Sequence, residues 1–358
     1  MEDFDLLTIY VIFFNYLKMN AGERIKNLIR GAKIDRLPII EWAPWWDLTI
    51  ERWKKDGLPL SLHYDSALIF NKSVRNIQLF FGLDACVQTS FPVRSNDTPR
   101  PQFHGAGIMK NPSEYQKIKK TMFRDPALLH DKEYLTWLKS TREEGNTIHW
   151  FSVEGFFWYP RELLGIEPHL YSFYDEPDFL LEICHDYENW LKKVFEYIGN
   201  TFQFDFMSFA EDMSYNHGPM IGKDAFDRFL SPFYKRLIPI LKKMDTPIFI
   251  DSDGDINKAV DWYAETGAEG MFPLERQAGV DVKHYIEKQP NMCFMGHFDK
   301  MCMKYGENAI KTEFERILLN TQKGRVIISM DHQTPPDVSL ENYQTYVRHF
   351  REFSGFCS

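Results

Sequence analysis

Several common chemistries have no signature in this chain. No GxGxxG or GxxxxGK[ST] loop occurs, so nothing supports a glycine-rich cradle for a dinucleotide or triphosphate. HExxH, GxSxG and a Cys/His nucleophile pair are missing too, which removes the usual hydrolase centres. The 358 residues contain only five cysteines, Cys86, Cys184, Cys293, Cys302 and Cys357, with no CxxC spacing. They read as reduced thiols of a cytoplasmic protein. Basic residues are in deficit, 42 Lys and Arg against 51 Asp and Glu, for a net charge of −9. A nucleic-acid partner, which would need clustered cations, is not expected.

No apolar run approaches the ~20 residues that span a bilayer. The nearest, MEDFDLLTIYVIFFNYLK at residues 1–18, is apolar for only about a dozen positions, and its charged positions include acids where a signal peptide carries Lys or Arg. It is expected to be an N-terminal extension, with Met19 as an alternative start and no stable membrane insertion. No internal repeat or low-complexity linker divides the rest, so residues 19–358 read as one domain.

What the sequence does contain is a recurrent pattern. Five short apolar runs end in acids or histidine: 206–210 before Glu211 and Asp212, 247–250 before Asp251 and Asp253, and 271–274 before Glu275. The other two are 292–296 before His297 and Asp299, and 326–330 before Asp331 and His332. Buried parallel strands look like this when their C-terminal ends deliver side chains to one rim. Adding expected strands near 37, 84 and 147 gives eight, interleaved with helices at residues 23–29, 132–144, 178–198, 223–244, 256–266, 281–288, 307–320 and 340–353. The fold class is therefore α/β, a single (β/α)8 TIM barrel with an N-terminal helical extension. A doubly wound open sheet shares the alternation but ordinarily carries a phosphate loop. The Pro- and Gly-rich stretch 91–125 reads as a hairpin or lid inserted into the barrel.

Carboxylates converging on a rim must bind a metal, pair with cations or hold a raised pKa. Asp212, His297, Asp299, Asp331 and His332 are candidate catalytic groups. Glu41, Trp42, Trp45, Trp46, Asp251 and Glu275 are candidate substrate contacts, the tryptophans forming an unusually aromatic loop after the first strand. Alternation along a strand puts Asp251 and Asp253 on one side, although Asp253 or Asp255 could simply cap the next helix.

The ordered motifs Ala21-Gly-Glu-Arg24, Asp35-Arg-Leu-Pro38, Glu211-Asp-Met213, Asp251-Ser-Asp-Gly-Asp255, Gly296-His-Phe-Asp299 and Ser329-Met-Asp-His-Gln-Thr-Pro-Pro-Asp-Val338 resemble the uroporphyrinogen decarboxylase superfamily. That superfamily includes cobamide-dependent methyltransferases, and the resemblance implies the same single-domain barrel. In place of the decarboxylases' Arg-rich loop the chain has Glu41-Trp-Ala-Pro-Trp-Trp-Asp47, a poor host for a polyanion. In place of the methyltransferases' His-x-Cys zinc pair it has Asp251-Ser-Asp253, with His332 where their distant cysteine stands. The resemblance implies a corrinoid-dependent methyltransferase acting on a small methylated substrate, with the corrinoid on a partner protein. Zinc or another divalent metal would be held by Glu211, Asp253 and His332, and a homodimer is compatible. The alternatives are a uroporphyrinogen decarboxylase, whose anion clamp would have to be rebuilt from Arg94, Arg161 or Arg276, and a non-catalytic corrinoid or tetrapyrrole-binding module.

Overall fold

The computed structural model describes residues 19–43, 45–64 and 72–355; the expected extension at 1–18 lies outside them. A parallel sheet of seven strands carries the fold in the order β1 (Ala85–Ser90), β2 (Thr147–Glu154), β3 (Phe206–Ala210), β6 (Ile248–Asp251), β7 (Gly270–Phe272), β8 (Cys293–Phe298) and β9 (Arg325–Met330). The intervening β4 (Ser214–Tyr215) and β5 (Gly218–Pro219) form a separate two-residue antiparallel pair. Sequential parallel strands joined by helices curl into a TIM-barrel-like half-barrel.

The expected first strand at 37–40 is not part of the ladder, which is a correction with a clear cause. Pro38 has no N–H to give. The Ile39 N–H is taken by the Asp84 carboxylate at 2.9 Å, and the Ile39 carbonyl accepts from Asp84 N at 2.8 Å. On the other side, Trp42 N donates to Ser329 Oγ at 3.2 Å, while the Glu41 carboxylate accepts from Met330 N at 3.3 Å. Apart from the backbone bond between Asp84 N and Ile39 O, side chains take the place of ladder bonds, so the segment lies between β9 and β1 without becoming a regular strand. The motif residues Arg24, Asp35 and Arg36 support this seam from below: Arg24 Nε meets Asp35 at 2.7 Å, and Arg36 meets Asp84 at 2.6 Å.

The amphipathic pattern over 178–198 becomes the helix Pro177–Thr201, whose Phe179, Ile183, Tyr187, Trp190 and Val194 are buried. One helix was expected over 223–244; two form, Lys223–Phe229 and Ser231–Lys243, because Pro232 in the first turn of the second cannot continue a preceding helix. Among the described residues, helices that the sequence pattern did not single out include Asp47–Asp56, Lys72–Phe80 and Ile166–Asp175, and the stretch read as a hairpin or lid contains the short helix Pro112–Ile118. Their apolar stripes are interrupted by exposed aromatic and charged residues. The 91–125 insertion is hairpin-like at its base, where Arg94 bridges antiparallel to Met122 and Phe123 N donates to Val93 O at 2.9 Å. Among the described residues, no helix is long and apolar enough to cross a membrane.

Candidate active site

The C-terminal ends of β3, β6, β7 and β9 bring Asp212, Asp251, Asp253, Glu275 and His332 together. One ligand atom from each of Asp253, Glu275 and His332 lies within 4.8 Å of the others, and Asp212, Asp251 and Asp253 form a second such group sharing Asp253. Asp251 ends its strand and Asp253 lies just beyond it, so the two meet without continued strand alternation; Gly254 at φ +79 turns away after them, where a side chain would strike the Tyr215 backbone. Asp212 sits in the left-handed region at φ +36, and its Oδ1 accepts from Asp253 N at 3.2 Å. This conformation costs energy for a residue with a Cβ. Its backbone is tied down by Asp212 N donating to Asp251 O at 3.3 Å.

Charge at this rim is crowded. Burial, then the neighbouring Asp212 and Glu275, pushes Asp253 up to about 8, with Lys300 opposing. Burial also raises Asp251 well above the usual carboxylate range, and raises Asp212. His332 is lowered by burial, against the pull of Glu275. Trp42 closes one side: it is 8% exposed, its Nε1 donates to Met330 O at 2.8 Å, and its ring meets Phe272 edge-on at 5.0 Å.

Asp331 is buried behind the rim, accepting from Arg276 N at 3.0 Å and from Lys300 Nζ at 3.2 Å. Lys300 was not singled out in the sequence. Its place one residue after Asp299, beyond a strand end, was the available signal. Phe272, the last residue of β7, was passed over because an apolar strand end resembles core.

Other expected site residues are placed elsewhere. Glu211 lies beside the rim but is turned from it, accepting from Phe157 N at 2.9 Å, Tyr234 Oη at 2.5 Å and Tyr263 Oη at 3.1 Å. Burial raises it to about 7 despite these donors. Gly155 leaves room for it, since a Cβ there would fall inside the carboxylate. His297, at φ +72, faces the surrounding helices, with Nε2 meeting Val282 N at 3.2 Å and Arg316 at 2.8 Å. Burial and Arg316 hold it neutral, well below the ordinary imidazole range. Asp299 caps the following turn by accepting from Met301 N at 2.9 Å.

Glu41 is wholly buried, bonded to Tyr346 Oη and to Ser329 Oγ at 3.2 Å. It serves the seam between β9 and β1. The tryptophan loop separates: Trp42 reaches the site, Trp45 packs with Trp53 and Tyr343 in a core outside the sheet, and Trp46 is 50% exposed.

Of the three arginines considered for an anion clamp, Arg94 pairs with Glu154 and with Glu162 at 3.4 Å. Arg276 donates to Val280 O at 2.5 Å. Arg161 donates to the Asp212 carbonyl at 3.4 Å and lies 4.5 Å from the centre of the Trp158 ring.

Comparison with known proteins agrees with the barrel. A methyltransferase from Methanosarcina mazei superposes with a TM-score of 0.64 at 15% identity, covering 94% of this chain and 99% of that one. A B12-independent methionine synthase from Shewanella sp. W3-18-1 in complex with selenomethionine gives a TM-score of 0.46 at 12% identity, covering 88% and 92%. No curated protein sequence matches the chain. Residues 207–353, which run from within β3 through β9 and include the converging acids, match the family model for uroporphyrinogen decarboxylase (URO-D). That match spans the C-terminal part of the barrel, and in it the chain is similar to the uroporphyrinogen decarboxylase family.

Proposed function

We propose that this protein is a methyltransferase of the uroporphyrinogen decarboxylase superfamily, moving a methyl group from a small methylated substrate to a corrinoid carried by a separate protein. The observation that carries the proposal is the Asp253, Glu275 and His332 group, three metal-ligand side chains with donor atoms within 4.8 Å. An oxygen, oxygen, nitrogen donor set fits zinc or another divalent ion. The like-charge crowding that raises Asp253 is the condition a divalent cation would relieve. Neither group contains cysteine, so a site here would be oxygen-rich. Glu211 is left out of the proposed ligand set because its oxygens are engaged by the tyrosines and by the backbone ahead of Trp158–Leu164.

Asp253, Glu275 and His332 would hold the metal, which would supply Lewis acidity at the heteroatom that carries the methyl group. The chain's own residues do the rest. Trp42, edge-on to both Phe272 and His332, walls one side of the group and orients the His332 ring. Asp331 holds Lys300 beside the acids, where it tempers their charge. Asp212, kept protonatable by burial and oriented by Asp253 N, is placed to give a proton to the departing heteroatom. A corrinoid co-substrate would supply the electron pair that accepts the methyl group, and the demethylated heteroatom would keep the proton given by Asp212. This balances without another reactant.

Decarboxylation is the second reading, favoured by the same raised acids, which could protonate a carbanion. The geometry supports it less for a polyanionic substrate, because Arg94 is already paired with two glutamates.

The test has two parts. Metal content is measured by mass spectrometry on protein purified without chelator or metal-affinity tag. Purified protein is then mixed with cob(I)alamin and methylated alcohols, amines, thioethers and aryl ethers, and methylcobalamin formation is followed by absorbance. Near-stoichiometric metal with methyl transfer from one donor class supports the proposal. Metal-free folded protein that instead releases carbon dioxide from an acid would replace it with the lyase.

A further inference from the structure

Arg161 stands apart from the other buried arginines. It is 8% exposed, on the helix Trp158–Leu164 that follows β2. Its Nε is buried without a hydrogen-bond partner, and among the described residues no carboxylate lies within ion-pair distance of it. By contrast, Arg24, Arg75 and Arg94 each meet an acid. A buried guanidinium whose one hydrogen-bond partner is a carbonyl is costly, even with the Asp212 carboxyl near enough to act on it through space. The carbonyl it touches, at 3.4 Å, belongs to Asp212, a member of the rim group. The Trp158 ring lies against the guanidinium at 4.5 Å, an arrangement that leaves the edge of the fork free for a planar partner.

A second buried group has the same unfinished character. His169 is fully buried with neither ring nitrogen hydrogen-bonded, packed against Phe157 at 4.8 Å and Phe173 at 5.0 Å. Burial, with Arg161 adding to it, lowers its pKa to about 3. It is therefore neutral, and the positive charge that acts on it is the Arg161 guanidinium. The helix start offers no competing anion site, because the Phe157 and Trp158 N–H groups are taken by Glu211 at 2.9 and 3.4 Å.

We infer that Arg161 is a substrate-recognition residue that receives a carboxylate, so the methylated substrate is a small acid. The inference rests on the proposed function for the word substrate, but the carboxylate site itself is independent of the reaction. A carboxylate accepting two parallel N–H bonds from the fork would complete the guanidinium and leave the remainder of the molecule toward Asp212 and the acids beyond it.

The experiment is calorimetric titration of the full chain with two matched pairs, benzoate against benzamide and acetate against acetamide. It is run on wild type, Arg161→Gln and Arg161→Lys, each checked for native melting. Wild type should bind at least one acid about tenfold or more tightly than its amide, the scale of a charge-assisted pair. Arg161→Gln should erase that preference without weakening the amide. Arg161→Lys should keep part of it, since the charge remains but the fork is lost. Equal binding of acid and amide to wild type, or binding of neither, overturns the inference even if no variant folds. So does an acid preference that survives in Arg161→Gln. An acid preference with no methyl transfer from any donor would leave the carboxylate site standing and bring down the methyltransferase reading alone.

Discussion

Trp42 stands edge-on to His332, ring centroids 5.8 Å apart and planes at 89°, and is itself pinned by its Nε1 bond to Met330 O. One residue of the loop after 37–41 thereby orients a side chain from the far end of the sequence. Trp42→Phe keeps an aromatic wall but loses the pin. Metal affinity is expected to fall about tenfold, the usual cost of losing an orienting contact, with little change in melting temperature. Competition with a fluorescent chelator measures it.

Removal of single rim side chains separates ligands from neighbours. Asp253→Ala, Glu275→Ala and His332→Ala should each abolish stoichiometric metal. Glu211→Gln should keep it, because that carboxyl is bonded away from the group. Metal analysis by mass spectrometry on folded variants decides this. Retention in Asp253→Ala would move the site to other residues.

Glu41 makes stability depend on pH. Burial raises it from 4.5 to about 8 against the hydrogen bonds of Tyr346, Met330 and Ser329. Between those values the native state holds a proton that the unfolded chain has released, so this group's contribution to stability declines as pH rises through that window. The penalty grows by about 1.4 kcal/mol per pH unit as an upper scale. Urea unfolding at several pH values between about 5 and 8 should show a shallower decline in Glu41→Gln than in wild type. Parallel pH profiles would mean Glu41 is ionised in the fold.

Gly155→Ala should destabilise by about 2 kcal/mol or more, since the new Cβ occupies the space of the Glu211 carboxylate and forces a buried acid off its donors. Its effect should be strongly non-additive with Glu211→Ala in denaturant unfolding, the signature of a shared contact.

The 91–125 insertion is fastened to the barrel by Arg94, which meets Glu154 and Glu162. Arg94→Ala should cost about 1–2 kcal/mol, discounted because the pair is partly exposed. Limited proteolysis should then cut within 91–125 before the rest of the chain.

The sequence by itself determined the alternation of strands and helices and the end of the sheet that bears the polar groups. Buried parallel strands must be apolar through their length, so the first acid after Ala210, Ile250, Leu274 or Met330 marks where the chain leaves the core.

Which of those acids face each other was decided only in three dimensions. Glu211 and Asp212 are adjacent in sequence, yet one turns to Tyr234 and Tyr263 and the other toward Asp253. The positive φ of Asp212 makes that division, and no pattern of residue types encodes it. His297 looked like His332 in the sequence, but its own positive φ points the ring to Arg316. The tryptophans at 42, 45 and 46 scatter for a related reason: Trp46 precedes the helix Asp47–Asp56, and the change of direction sends Trp45 into a separate core. Local sequence sets where a strand must end. The backbone angles at that end, fixed by distant hydrogen-bond partners, decide which side chains meet.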